Sequence, residues 1–222
     1  MIHAPLPPSS GATLALANPL AGADKELAGW FHVHLSQTFI TALKALTELG
    51  SGEWIGIALG GIILFLLWKR SWLTAATMIV VVPGGMLLNE FLKLEVHRHR
   101  PFFDDPFGAW SGYSFASGHT IGATLLYGQL ALLIMPALKS REWRVFTVSM
   151  MGFLVLVVGF TRIALGAHYL TDVLGGIMLG IFWLAFCFIA EKPLRRNFAV
   201  VRPLAQECEI NSRIARRFNA GP

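Results

Sequence analysis

The chain predicts an all-α fold, a polytopic bundle of membrane-spanning helices, and three observations carry that expectation. Of its 222 residues 55% are hydrophobic and only 14% charged, with a mean hydropathy of +0.58, which is too apolar for an ordinary water-soluble domain. The apolar residues are gathered into separate runs, several approaching the roughly 20 residues that cross about 30 Å of hydrocarbon. Short basic connections alternate with the others along the chain, as cytoplasmic loops do. A length of 222 leaves room for one such domain and makes a second improbable.

Residues 1–24 are rich in Pro, Gly, Ser and Ala and lack the basic start and apolar centre of a signal peptide, so they read as a flexible tail. From Lys25 to Gly50 the pattern changes. Leu27, Phe31, Leu35, Phe39 and Leu43 recur every four residues, while His32, Ser36, Gln37, Lys44 and Glu48 take other faces. This predicts an amphipathic helix lying at the interface, with a sixth span as the alternative. Five spans follow by length and polarity: Trp54–Trp68, Trp72–Leu92, Thr120–Leu138, Val145–Phe160 and Leu170–Ala190. Residues 25–190 thus form the membrane domain and 191–222 a basic tail. Trp54, Trp68, Trp72 and Trp110 read as interfacial anchors, and Gly175, Gly176 and Gly180 as close helix packing.

Lys69 and Arg70, then Lys139, Arg141 and Arg144, then the tail's Lys192, Arg195, Arg196, Arg202, Arg213, Arg216 and Arg217 fall on one side if the spans alternate. That side is cytoplasmic by the positive-inside rule, in what reads as a bacterial inner membrane. The connections after Leu92 and after Phe160 then face outward together. The first is itself basic, with Lys93, Arg98 and Arg100, an exception that asks for a functional cause. The formal charge of +5 lies largely in the tail, which reads as a solvated segment against anionic headgroups and not as a nucleic-acid site. Cys187 and Cys208 read as reduced thiols.

Polar residues at the outward ends of the spans carry the chemistry. In "KLEVHRHRP" Lys93 and Arg100 stand seven apart, two helical turns and one face, ahead of the helix-ending Pro101. Two such cations suit an anion, and they also suit snorkelling at a boundary. In "SFASGHT" Ser117, Gly118 and His119 open a helix whose first N–H groups lack partners and whose dipole is positive, a cradle for phosphate oxygens or simply a capped start. In "TRIALGAHYLTD" Arg162 ends one span, while His168 and Asp172 lie four apart on one face of the next. An aspartate accepting from one ring nitrogen leaves the other basic and directed, so His168 reads as a nucleophile or a base, or as half of a structural hydrogen bond. His97 and His99 with Asp104 or Asp105 make a weak metal site, because alternate residues on a helix point apart.

Taken in order, the three stretches resemble the signature of the type 2 phosphatidic acid phosphatase family, lipid phosphate phosphatases that share a helical fold with vanadium haloperoxidases. The signature K-x6-R-P, P-S-G-H and S-R-x5-H-x3-D is matched by Lys93 with Arg100-Pro101, by Ser117-Gly118-His119, and by Arg162, His168 and Asp172. Ala116 stands where the family usually has proline and Thr161 where it has serine; neither replaces a catalytic group.

The resemblance implies that Lys93, Arg100 and Arg162 grip the nonbridging oxygens, with Ser117 and the Gly118 N–H beside them. His168, oriented by Asp172, attacks phosphorus to give a phosphohistidine, and His119 serves as acid and then base. It implies no metal and no cofactor. The expected substrate is a phosphomonoester or diphosphate lipid at the outer surface: undecaprenyl diphosphate, phosphatidylglycerol phosphate, phosphatidic acid or a lipid A type. The compactness of the chain places the prenyl diphosphate slightly ahead. A haloperoxidase or a transporter using the same anion site are the alternatives; five apolar spans count against the first, and charges grouped at one surface against the second. Oligomeric state is not specified by the sequence.

Overall fold

The computed structural model describes residues 20–101 and 112–193, the side chain of His32 excepted. Residues 1–19, 102–111 (with Asp104, Asp105 and Trp110) and 194–222 (with Cys208) lie outside the described residues, and with them the readings attached to those positions. The chain divides into two units, 1–184 and 185–222.

All regular structure among the described residues is helical. The segment predicted as one amphipathic helix is two: α1, Ala21–His34, and α2, Gln37–Thr47. The break is local chemistry. Leu35 is extended, and Ser36 accepts a hydrogen bond from Phe39 N at 3.4 Å, so a fresh N-cap starts α2 although the apolar spacing runs on through it. Ile40 and Leu43 of α2 form a buried cluster with Ala164 and Leu165, against which Phe31 and Leu35 pack. α1 also begins at Ala21, inside the stretch read as a tail.

A 3-10 turn, Glu48–Gly50, then leads through the N-cap Ser51 to α3, Gly52–Trp68. Its 17 residues reach about 25 Å, short of a full span unless taken with the bent segment before it. The helices α4, Trp72–Val96; α5, Gly118–Ile134, extended by a 3-10 turn to Ala137; α6, Arg141–Ala164; and α7, Leu170–Pro193, are each long and apolar enough to cross a membrane. The described residues therefore hold four helices able to span, or five spans counting the bent pair, as in a multi-pass membrane protein.

α5 is the central helix. Thr120 to Tyr127 are buried without a break, and its span is 56% buried against 22–33% for the other three. Outward faces are apolar, with Ile57, Leu64, Leu87, Leu156 and Met178 exposed, whereas Asn89, Thr120, Thr124 and Gln129 point inward. That inversion of a soluble protein's surface fits a lipid surround. Glycines set the α5–α7 approach. A Cβ on Gly180 would lie 2.7 Å from Thr124, and one on Gly176 3.1 Å from the Ser117 carbonyl, so close packing is what these residues permit. Because α4 and α6 end, and α5 and α7 begin, at the same face, all three motifs arrive together.

Candidate active site

The exit from α4 determines where the first motif goes. His97 caps the helix in the left-handed region, at φ 51° and ψ 32°, and its N–H returns to Lys93 O at 3.1 Å. The helix therefore ends at Val96, and Arg100 does not share a helical face with Lys93 as the seven-residue spacing predicted. It lies on an irregular segment that crosses toward the start of α7. There its Nη1 donates to Ala167 O at 2.9 Å and stands 3.3 Å from His168 Nε2, and its Nε donates to Gly112 O at 3.1 Å. Lys93 remains on α4. Its Nζ is 2.7 Å from Glu90 and 3.5 Å from the position a Cβ on Gly118 would take. The two cations converge on one site from different backbones.

The second motif starts α5. Ser117 is fully buried at the N-cap, but its hydroxyl makes no capping bond; it accepts from Thr120 Oγ1 at 3.0 Å, while its N–H donates to Asp172 O at 3.1 Å. The expected side-chain cap is thus absent, and that hydrogen bond stitches α5 to α7 instead. Gly118 and His119 are half-buried, and the charges of Lys93, Arg100 and Arg162 and the His168 ring all bear on the His119 ring. Gly50 packs against it, since a Cβ there would stand 3.0 Å from His119 O. Arg162, 2% exposed near the end of α6, donates to Thr47 Oγ1 at 3.2 Å.

The third motif differs in detail from its expected form. α7 begins at Leu170, so His168 precedes the helix and Asp172 sits in its first turn, accepting from Tyr169 N at 2.9 Å in the manner of one half of a capping box. His168 Nδ1 and Asp172 Oδ2 are 3.7 Å apart, beyond a direct hydrogen bond. Ser114 lies between. Its hydroxyl donates to Asp172 Oδ2 and stands 3.4 Å from His168 Nδ1. An Nδ1–H directed at Ser114 leaves Nε2 as the free nitrogen, on the side where Arg100 is found. Burial pushes the His168 ring down to about 4, against the opposing pull of Asp172, so it is neutral at ordinary pH. Burial also lowers the Arg100 guanidinium from its usual range.

All eight residues singled out by the motifs therefore occupy one end of the bundle. Sequence reasoning missed two more. Ser114 stands in the quoted "SFASGHT", with nothing in its spacing to mark it. Arg98 was noted only as a loop charge, yet its Nη1 lies 2.5 Å from Asp172 Oδ1. His97 instead stacks edge-on against Tyr113, with ring centroids 4.5 Å apart. Next to Gly118 opens a cavity of about 390 Å³ between α3 and α4, lined mainly by apolar side chains such as Ile55, Leu59, Val82 and Met86, with Asn89 near its polar end.

Fold and cluster together describe a helical multi-pass membrane protein of the lipid phosphatase class. The chain belongs to the PAP2 superfamily, whose sequence pattern matches residues 71–196. It is 32% identical over 145 residues to phosphatidylglycerophosphatase B of Bacillus subtilis (strain 168), covering 63% of this chain and 68% of that one. It is 33% identical over 122 residues to a lipid A 1-phosphatase of Rhizobium johnstonii, covering 51% of this chain and 46% of the relative. Among solved structures, a transmembrane PAP2 type phosphatidylglycerolphosphate phosphatase from Bacillus subtilis superposes with a TM-score of 0.69 at 26% identity, over 82% of this chain and 92% of that one. Aquifex aeolicus LpxE shares the fold, with a TM-score of 0.58 at 20% identity over 75% and 94%.

Proposed function

We propose that this protein hydrolyses a phosphorylated lipid at the outer membrane surface through a phosphohistidine on His168, without a metal ion. The observation that carries this reading is the two-sided setting of the His168 ring: Nδ1 faces Ser114 and Asp172, and Nε2 faces Arg100. Lys93, Arg100 and Arg162, with the N–H groups at the start of α5, take the phosphate oxygens and spread their charge over fixed donors. Nε2 forms the bond to phosphorus as the P–O bond to the lipid breaks. The electron pair stays on the leaving oxygen, which takes its proton from His119. Water then attacks phosphorus as His119 accepts its proton; the P–N bond breaks, its electron pair returns to Nε2, and inorganic phosphate leaves with His168 restored.

The apolar cavity beside Gly118 gives one lipid chain a place below the phosphate. Phosphatidylglycerol phosphate is the first substrate to test, because both the Bacillus subtilis relative and the superposed Bacillus structure carry that substrate in their names. The basic turns at Lys69 and Arg70 and at Lys139 to Arg144 lie at the end of the bundle opposite His168, which supports a cytoplasmic location for them and an external site.

Purified protein assayed on phosphatidylglycerol phosphate, phosphatidic acid, undecaprenyl diphosphate and a lipid A phosphate, each with and without EDTA, tests the reading. Phosphate release from phosphatidylglycerol phosphate at the highest kcat/KM, unchanged by EDTA, is the expected result. Release that EDTA abolishes and magnesium restores contradicts the metal-free mechanism, and release only from undecaprenyl diphosphate contradicts the substrate.

A further inference from the structure

Asp24 belongs to the first turn of α1, on an otherwise partly exposed helix, yet it is 1% exposed. Its carboxylate accepts from Arg98 Nη2 at 2.8 Å, from Thr171 N at 3.1 Å and from Thr171 Oγ1 at 2.5 Å. Arg98 spans from Asp24 to the active site. Its Nη1 reaches Thr171 Oγ1 at 2.6 Å and Asp172 Oδ1 at 2.5 Å, its guanidinium lies 4.3 Å from the Tyr169 ring centroid, and its own carbonyl accepts from Ser114 N at 2.7 Å. One residue thus grips both Asp172 and the backbone of the serine that bridges Asp172 to His168.

Stability alone does not account for this arrangement. Two carboxylates and a guanidinium out of water roughly break even against apolar side chains of the same volume, so a purely structural strut could be greasy. What the ions add is direction. Arg98 occupies Oδ1 of Asp172, leaving Oδ2 for Ser114 and the His168 ring, and Asp24 fixes the guanidinium in the plane that does so.

We propose that Arg98 and Asp24 are positioning residues for the phosphatase reaction, so that α1 is a working part of the active site and not only a surface helix. This rests on the assignment above of Asp172 and His168. Arg98 does not belong to the phosphate grip, because its guanidinium is committed to Asp24, Thr171 and Asp172. Its loss therefore acts on the chemical step and leaves substrate binding alone.

The test uses the full-length protein in detergent micelles, with kcat and KM on a phosphorylated lipid and a thermal melt for each of Arg98→Gln, Arg98→Lys, Asp24→Asn, Thr171→Val and the double variant Asp24→Asn/Arg98→Gln. Loss of one outer partner lowers activity about 10–100-fold around metal-bound histidines, and the same scale is expected here. Arg98→Gln is expected at the upper end of that range in kcat and Asp24→Asn at the lower, both with KM within about twofold. Arg98→Lys recovers part of the loss, since an ammonium cannot bond two carboxylates in one plane. The double variant falls no lower than Arg98→Gln, because Asp24 acts only through Arg98. If Arg98→Gln does not fold, Arg98→Lys, Asp24→Asn and Thr171→Val carry the test. Unchanged kcat in these variants, multiplicative losses in the double, or a rise in KM at constant kcat overturns the proposal. If Asp172→Asn and His168→Ala are equally active, the underlying reading fails instead; if those two are inactive while the Arg98 and Asp24 variants are normal, this inference fails alone.

Discussion

At the scale of single residues, His168 and His119 are chemically alike and differently placed. His168 is 2% exposed, with Nδ1 turned to Ser114 and Nε2 toward Arg100, whereas His119 is half-buried at the second position of α5. A proton donor matters in proportion to the leaving group's pKa. His119→Ala should therefore keep more activity on an activated aryl phosphate than on an alkyl phosphate lipid, compared as kcat/KM; equal losses on both would deny it the role of acid. The buried ring of His168 has a second consequence. Its pKa falls from 6.5 to about 4 on folding, so between those values the unfolded chain binds a proton that the folded one refuses. Stability is then lost as pH falls from 6.5 through 4, by about 3 kcal/mol at the rate of one pKa unit per 1.36 kcal/mol. Melting temperatures over pH 7 to 4 should drop more steeply in the native protein than in His168→Gln, and parallel curves would contradict the assignment.

At the scale of helices, the site is built from ends. The start of α5 stays open to an anion because Gly118 has no side chain, and an added Cβ would stand 3.5 Å from Lys93 Nζ and 3.7 Å from Asn89 Nδ2, in the space a phosphate oxygen needs. Gly118→Ala should fold normally and raise KM about 10-fold or more, with kcat less affected; an unchanged KM would place the phosphate elsewhere. The helix ends are also where the sequence was least legible. Spacing alone put Lys93, Arg162 and Asp172 at the span ends, since each motif abuts a long apolar run, but it put His168 on the helix that it precedes. It misplaced Arg100, because a helix stop is normally marked by Gly or Asn and here a histidine takes the left-handed turn. It also ran α1 into α2, where the four-residue apolar repeat continued across Ser36 and masked a good N-cap.

At the scale of the molecule, hydropathy and basic loops were enough to predict a helical membrane bundle, and three spaced motifs were enough to gather the site, because both signals are local in the chain. What the sequence did not carry was contact across distance. Asp24 and Arg98 lie 74 residues apart, as do Arg98 and Asp172, and Ser114 meets Asp172 across 58, with no periodicity to join them. In the proposed mechanism these contacts orient a catalytic group whose phosphoryl-accepting member is His168. The most direct measurement is to mix the protein with lipid carrying a ³²P-labelled terminal phosphate, quench within the first turnover under alkaline conditions that preserve P–N bonds, and map the label. The label should be acid-labile, reside on His168 in the native protein and vanish in His168→Ala. Label that persists in His168→Ala, or native turnover with no labelled protein at any time, would contradict it.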